Sequence, residues 1–434
     1  MTEMSAAASA AYAGTTGFKA PGTTPARTPR GYTPGLATVN FGIYMALLTP
    51  VMVSMAFKVQ HIASSTEEAT GQLGLVLGVG ALFALVANPL AGRLSDRTTS
   101  RFGIRRPWIL GGGVVGLAGQ GLIGAATSVW AVLIGWCVAQ TALNAVLAAA
   151  NATLPDQVPV SSRGRVSGVV GITTPLAILG GSFLINFIAD DLMRFLAPGL
   201  LALLFIILFV LVLKDRRLEH KPAQRFTVGQ FFGSFVFNPR KHPDFGWTWL
   251  TKFFVMFGYA GIATYLPYFL TEKFALDEQG AISTILLANI ASTLAMAVSS
   301  PIGGFLSDRF GKRRPFVAAA GLIMVVGLVL LAFAPSIPVI VVAQAIIGLG
   351  AGSFFSVDLA LATEVLPNAE DTAKDLGVLN IANALPQSIA PAMAPGIIAL
   401  GAGTAIGGYS TWYLFGAFVA FLGAVLVYRI KGVK

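Results

Sequence analysis

Twice in this chain a short, densely charged segment interrupts long apolar runs. The first, Gly92–Pro107, reads GRLSDRTTSRFGIRRP and carries five arginines and one aspartate; the second, Gly304–Pro315, reads GFLSDRFGKRRP. Asp96 and Asp308 lie 212 residues apart, and Pro107 and Pro315 lie 208 apart. A charged loop at the same place in two halves of an apolar chain predicts a duplicated membrane protein.

The solvent follows from composition. Hydrophobic residues make up 55% of the chain and charged residues 11%, well below the quarter or so expected of a soluble domain. Apolar stretches of about 20 residues, enough for a helix to cross a bilayer core, recur along the chain. Twelve such spans between residues 36 and 429 predict an all-α membrane protein of two pseudo-symmetric six-helix bundles. The single cysteine, Cys137, lies in an apolar run, so neither a disulfide framework nor a thiolate metal site is available.

The net charge of +10 belongs to topology. With a cytosolic N-terminus, 26 of the 29 lysines and arginines fall on the cytosolic side, and only Lys58, Arg194 and Lys273 fall outside. That asymmetry is the positive-inside rule. It places both termini in the cytosol and gives no reason to expect a nucleic-acid partner. The expected organisation is a disordered tail over 1–35, a first bundle over 36–213, a cytosolic linker over 214–245 and a second bundle over 246–430. The linker's phenylalanine-rich part, Phe226–Phe237, fits a helix lying on the cytosolic leaflet.

The polar residues inside the spans form a pattern. Gln140, Asn144 and Asn151 follow one another at i, i+4 and i+11, within about 40° on one helix face. Asn380, Asn383 and Gln387 repeat this stripe in span eleven. Any one amide could simply join helices, contributing about 0.6–2 kcal/mol, but two stripes in corresponding spans predict a polar cavity. Asn40, Tyr44, Tyr265, Tyr268 and Asn289 are further candidates to line it. Asp358 stands nine residues before Pro367, about 13 Å into a core about 30 Å thick. Burial favours the protonated form of such a carboxyl unless a cation is close by, so Asp358 is the candidate proton-coupling group. Asp156 and Glu364, 208 residues apart and each beside a proline at a cytosolic span end, are placed to meet the arginines of the charged loops in a gate. The glycine clusters Gly111–Gly113 and Gly348–Gly352 are expected to pack helices closely.

The two charged loops resemble the cytosolic loop motif of the major facilitator superfamily. That likeness implies two bundles rocking about a midplane site. It matches Gly92, Asp96, Arg97 and Arg106 to the first motif and Gly304, Asp308, Arg309 and Arg314 to the second, with Arg105 and Arg313 beside them. Asp156 and Glu364 stand where the family has the acid of its inner charge relay. The stretch SDRTTSRFGIRRPWI further resembles the SDRCTSRFGRRRPFI loop of the sucrose/proton symporters, with Ile104 in place of an arginine, and ALLTP in span one resembles their LLTP. This narrower likeness, to the sucrose and glycoside–pentoside–hexuronide group, implies proton-coupled uptake of a sugar or glycoside across the plasma membrane.

A proton-antiport exporter of drugs or metabolites is the alternative, but its GP-x-x-GG signature in span five is here Gly171-Ile-Thr-Thr-Pro175 through Gly180-Gly181, with altered spacing. A non-transporting membrane sensor would need neither polar stripes nor a midplane acid. Enzyme chemistry is not expected: the chain carries no G-x-x-x-x-G-K-[ST], HExxH or GxSxG, and its histidines, His61, His220 and His242, lie outside the expected spans. No cofactor is implied.

Overall fold

The computed structural model describes residues 27–218, 237–366 and 372–433. The expected interfacial helix over Phe226–Phe237, apart from Phe237, and residues 1–26 of the expected tail lie outside the described residues. Twelve helices are long and apolar enough to cross a membrane, and no strand occurs among the described residues. We number them α1 (Tyr32–Ile62), α2 (Thr66–Ser95), α3 (Arg106–Ala125), α4 (Val129–Gln157), α5 (Val160–Ile185), α6 (Asp191–Val212), α7 (Pro243–Phe274), α8 (Glu278–Phe310) and α9 (Arg314–Ala332). The last three are α10 (Ile337–Glu364), α11 (Thr372–Ala402) and α12 (Gly408–Leu426). The helices form two sets of six, α1–α6 and α7–α12. Both charged loops lie at one end of the molecule, here termed the basic end; the short loops after α1, α3, α5, α7, α9 and α11 form the far end.

Local sequence explains where the helices start. At the far end α2, α4, α6 and α8 are capped by Ser65, Ser128, Asp190 and Asp277, whose side chains accept backbone N–H bonds that the helix leaves unpaired. At the basic end α3, α7 and α9 start with a proline in the first turn, Pro107, Pro243 and Pro315, where the missing N–H costs nothing. Pro50 interrupts α1. It opens a π-helical turn, Pro50–Ser54, that joins Tyr32–Thr49 to Met55–Ile62.

Packing inside each half runs on small residues. A Cβ at Gly112 would sit 2.9 Å from the carbonyl oxygen of Ala142, and one at Gly348 only 2.2 Å from that of Ser292. The backbones of α3 and α4, and of α8 and α10, therefore touch, as the glycine clusters predicted. Gly348→Leu should lower stability by about 1–3 kcal/mol, the usual cost of overpacking. A thermal unfolding midpoint equal to wild type would show that α8 and α10 do not close on each other there.

The halves meet at the far end. Gly74 and Gly78 of α2 lie against α11, where a Cβ on Gly74 would be 2.6 Å from the carbonyl oxygen of Pro391. On α5, Ser182 is bonded by Asn289 of α8 at 2.8 Å, and Gln279 of α8 donates to the carbonyl of Asn186 at 2.9 Å. Nearer the basic end, Asn380 and Gln387 on α11 are exposed. The described side-chain bonds that join the halves lie toward the far end.

Candidate functional site

The repeated loops build the same clamp twice. In the first, Arg105, 3% exposed, donates to the Gly92 carbonyl at 3.2 Å, to the Ser95 hydroxyl and to Asp96. In the second, 208 residues on, Arg313 donates to the Ser307 hydroxyl at 3.0 Å and to Asp308. Arg106 donates to the carbonyl of Leu213 at the end of α6, and Arg314 to that of Lys431 beyond α12 at 2.7 Å. Arg97 is half-buried and Arg309 exposed; the second arginine pair, not these two, holds the loops. Gly304 faces α10, 3.7 Å from Ser356 through an added Cβ.

The acids at the span ends behave differently in the two halves. Glu364 accepts from Arg313 at 3.3 Å, so the expected meeting of acid and loop arginine occurs in the second half. In the first half it does not. Asp156 faces Arg216 at 3.9 Å, a residue just beyond α6. Sequence reasoning missed this segment. Asp215 accepts the backbone N–H groups of Arg105 and Arg106 at 2.7 and 2.9 Å, and Arg216 accepts that of Ile104 at 3.0 Å. Gln157 donates to the Lys214 carbonyl at 2.6 Å. The start of the linker is thus a clasp over the first charged loop. Gly103 permits it: its φ is +109°, and a Cβ there would lie 2.1 Å from the Asp215 carboxylate.

Asp358 is buried on α10, as its depth implied, but it is not alone. The ammonium of Lys252 on α7 donates to it at 2.7 Å, with the two side chains 14% and 5% exposed. Lys252 had been grouped with the basic end by charge counting. It stands nine residues after Pro243 as Asp358 stands nine before Pro367, so equal depth was a readable signal. Just beyond the pair, Tyr259 and Phe355 meet edge to face at 5.9 Å between ring centres.

The amide stripes divide. Asn40 of α1 donates to Asn151 of α4 at 3.1 Å, and Asn144 donates to Gln140 at 2.9 Å. Tyr44 stands beside Thr174 of α5. On α11, Gln387 donates to the carbonyl of Asn383 at 3.3 Å, and both Gln387 and Asn380 are exposed. Tyr265 and Tyr268 do not line a polar cavity. Both are fully buried in the far-end seam, where their hydroxyls donate to the carbonyls of Pro391 at 2.9 Å and Ala56 at 2.7 Å. Their rings and hydroxyls are used to close the molecule. A cavity of about 880 Å³ runs between α2, α3 and α4 against Phe83, Trp108, Ile134 and Cys137. It is apolar and touches none of these polar residues.

A second charged cluster, at the far end, had no counterpart in the sequence reading. Lys58, 6% exposed, donates to the Gly124 carbonyl at 2.8 Å and to Asp191 at 3.3 Å; Arg194, 3% exposed, donates to the Ile188 carbonyl at 2.8 Å and to Glu278. His61 lies between Asp191 and Glu278. Two of the three bases that departed from the charge asymmetry are therefore buried here.

The sequence profile of the Major Facilitator Superfamily matches residues 35–296 and 281–433. An uncharacterised transporter of that type from Schizosaccharomyces pombe is 31% identical over 139 residues, covering 31% of this chain and 30% of its own length. The multidrug resistance protein MdtG of Erwinia billingiae is 27% identical over 253 residues, 56% of this chain and 58% of its own. An uncharacterised symporter of Synechocystis is 54% identical over 39 residues, 9% of this chain and 7% of its own. These alignments span less than two thirds of each curated relative. Among solved structures, a nucleoside transporter superposes with TM-score 0.72 at 14% identity, covering 92% of this chain and all (100%) of that one. A D-xylose–proton symporter superposes with TM-score 0.70 at 15% identity, covering 93% and 99%.

Proposed function

The chain belongs to the Major Facilitator Superfamily and is a membrane transporter; from that premise we propose that it takes up a sugar or glycoside together with protons. The basic end is the cytosolic side of the plasma membrane, and both termini lie there. The rocking units are residues 36–213 and 246–430, joined by the linker over 214–245. The observation that carries the reading is the buried pair Lys252–Asp358 between α7 and α10.

A proton on Asp358 removes the charge that Lys252 is paired with. The freed ammonium then needs another acceptor, since an unpaired charge in this environment is strongly unfavourable. A substrate hydroxyl or ring oxygen beside α7 supplies one, so proton and substrate favour each other's binding. The amides of Asn40, Gln140, Asn144, Asn151, Asn289, Asn380, Asn383 and Gln387, with Tyr44, offer donors and acceptors suited to hydroxyl groups. The charged loops with Asp156 and Glu364 form the gate at the basic end. Support for a sugar comes from the sucrose-symporter-like loop, and support for symport from the short stretch shared with the Synechocystis symporter. The match to MdtG, a multidrug resistance protein, supports the second reading, a proton-antiport exporter of drugs or metabolites.

Uptake of a panel of labelled sugars and glycosides into vesicles separates the two. Uptake of at least one, raised by an imposed inward proton gradient and abolished by a protonophore, is the expected result. A chain that moves none of them but extrudes a lipophilic cation against the gradient is an exporter.

A further inference from the structure

His61 ends α1 at the far end, and each of its ring nitrogens faces a carboxylate. Nδ1 lies 3.0 Å from Asp191 at the start of α6, and Nε2 lies 3.0 Å from Glu278 at the start of α8. A neutral imidazole has one N–H and one lone pair, so it can donate to only one of these acceptors. With a carboxylate at hydrogen-bond distance on both sides, the ring that satisfies this geometry is the imidazolium. Asp191 belongs to one half of the molecule and Glu278 to the other. The side chain of His61 is 46% exposed, so a proton from solution reaches it.

We propose that His61 is a proton-binding site built across the seam, whose occupation closes the far end of the transporter. The ligand is the proton itself. When the seam opens, Glu278 leaves with its half, the bridge is lost, and the proton returns to the side it came from. This proton is therefore distinct from one carried with substrate at Asp358; it sets which state the molecule rests in.

The surrounding charges define what His61 adds. Lys58 on its own helix engages Asp191 at 3.3 Å, and Arg194 on α6 engages Glu278 and lies 3.8 Å from Asp191. Glu67 and Glu68 at the start of α2 are exposed, and Glu68 accepts from Ser64 and Gln72. Glu272, near the end of α7, is exposed. The Arg194–Glu278 bond also crosses the seam and does not involve His61. The closed state thus survives loss of the His61 proton, with a smaller share of the population. A closed state that binds one proton more than the open state gains on it by up to about tenfold per pH unit, in the range of about pH 5–8 where histidine changes charge.

The test uses the full chain in phosphatidylcholine–phosphatidylglycerol vesicles, with Cys137→Ala and spin labels on Ser64→Cys and Ala402→Cys, two exposed positions of the far end in opposite halves. Distances between the labels are measured at about pH 5 and about pH 8, either side of the histidine range. The expected result is a severalfold rise in the closed-to-open ratio at the lower pH. His61→Gln should remove that dependence, and His61→Arg, which keeps the charge, should hold the closed state at both values. A His61→Gln protein that still responds to pH overturns the proposal, and so does a His61→Arg protein that opens at the higher pH like wild type. The same measurement with Asp358→Asn keeps the pH response if His61 is its source; loss of the response there assigns it to the Lys252–Asp358 pair and also overturns the proposal.

Discussion

Asp358→Asn should abolish accumulation against a gradient while leaving exchange of substrate across the membrane measurable. One proton per substrate across one pH unit can sustain about a tenfold concentration ratio; the variant should settle at equal concentrations. The amide matches the carboxyl in shape but cannot take up and release the proton. It also leaves Lys252 without its counter-charge, and breaking one side of a buried pair destabilises by about 3–5 kcal/mol. Lys252→Met should carry a similar stability loss for the same reason. The double variant, Lys252→Met with Asp358→Asn, should recover much of that loss in thermal unfolding, because no charge is then left unpaired, and should still fail to accumulate. Full accumulation by Asp358→Asn would remove Asp358 from coupling. A double variant no more stable than either single one would mean the two residues do not act as a pair.

Gly103→Ala should disrupt the clasp between the first charged loop and the linker. A side chain at φ +109° is strained by about 1–3 kcal/mol. The added methyl would also overlap the Asp215 carboxylate, 2.1 Å from its oxygen, adding a cost of order 1–3 kcal/mol. The carboxylate would be pushed off the N–H groups of Arg105 and Arg106, and trypsin should then cut faster at Arg216 and Arg217. Combining the change with Asp215→Ala separates the terms. Once the carboxylate is gone the clash is gone, so the two losses should sum to less than their separate values. Strict additivity would mean that Gly103 and Asp215 are not coupled.

Much of this architecture was legible because hydropathy, charge and helix caps are local. Twelve spans, their duplication and the position of the charged loops follow from apolar runs and from the repeated Gly92–Pro107 and Gly304–Pro315 segments. The depth of Asp358 and the repeated Ser–Asp–Arg clamp could also be counted along the chain. Other features could not. Tyr265 and Tyr268 lie on a span that reads as cavity-lining, yet they bond backbone carbonyls in the seam, because helix rotation decides which face a hydroxyl meets. Asp156 meets Arg216, just beyond α6, a partner that the spacing of the charged loops does not announce.

The sequence by itself determined the membrane as solvent, the doubled six-helix plan and the residues whose charge in a membrane needs a partner. The tertiary structure alone decided who the partners are. It joined Lys252 to Asp358 across 106 positions and made a bridge of His61 between Asp191 and Glu278. It also showed which end is shut. The physical reason is that the cost of an unpaired charge is set by its residue type and depth, which the chain records. Its relief depends on which helices approach, and that changes with the state of the molecule. The charged loops that announced the fold therefore hold each half together at the basic end, while the closed seam joins close helix packing and buried tyrosines to the few charges that broke the loops' own pattern.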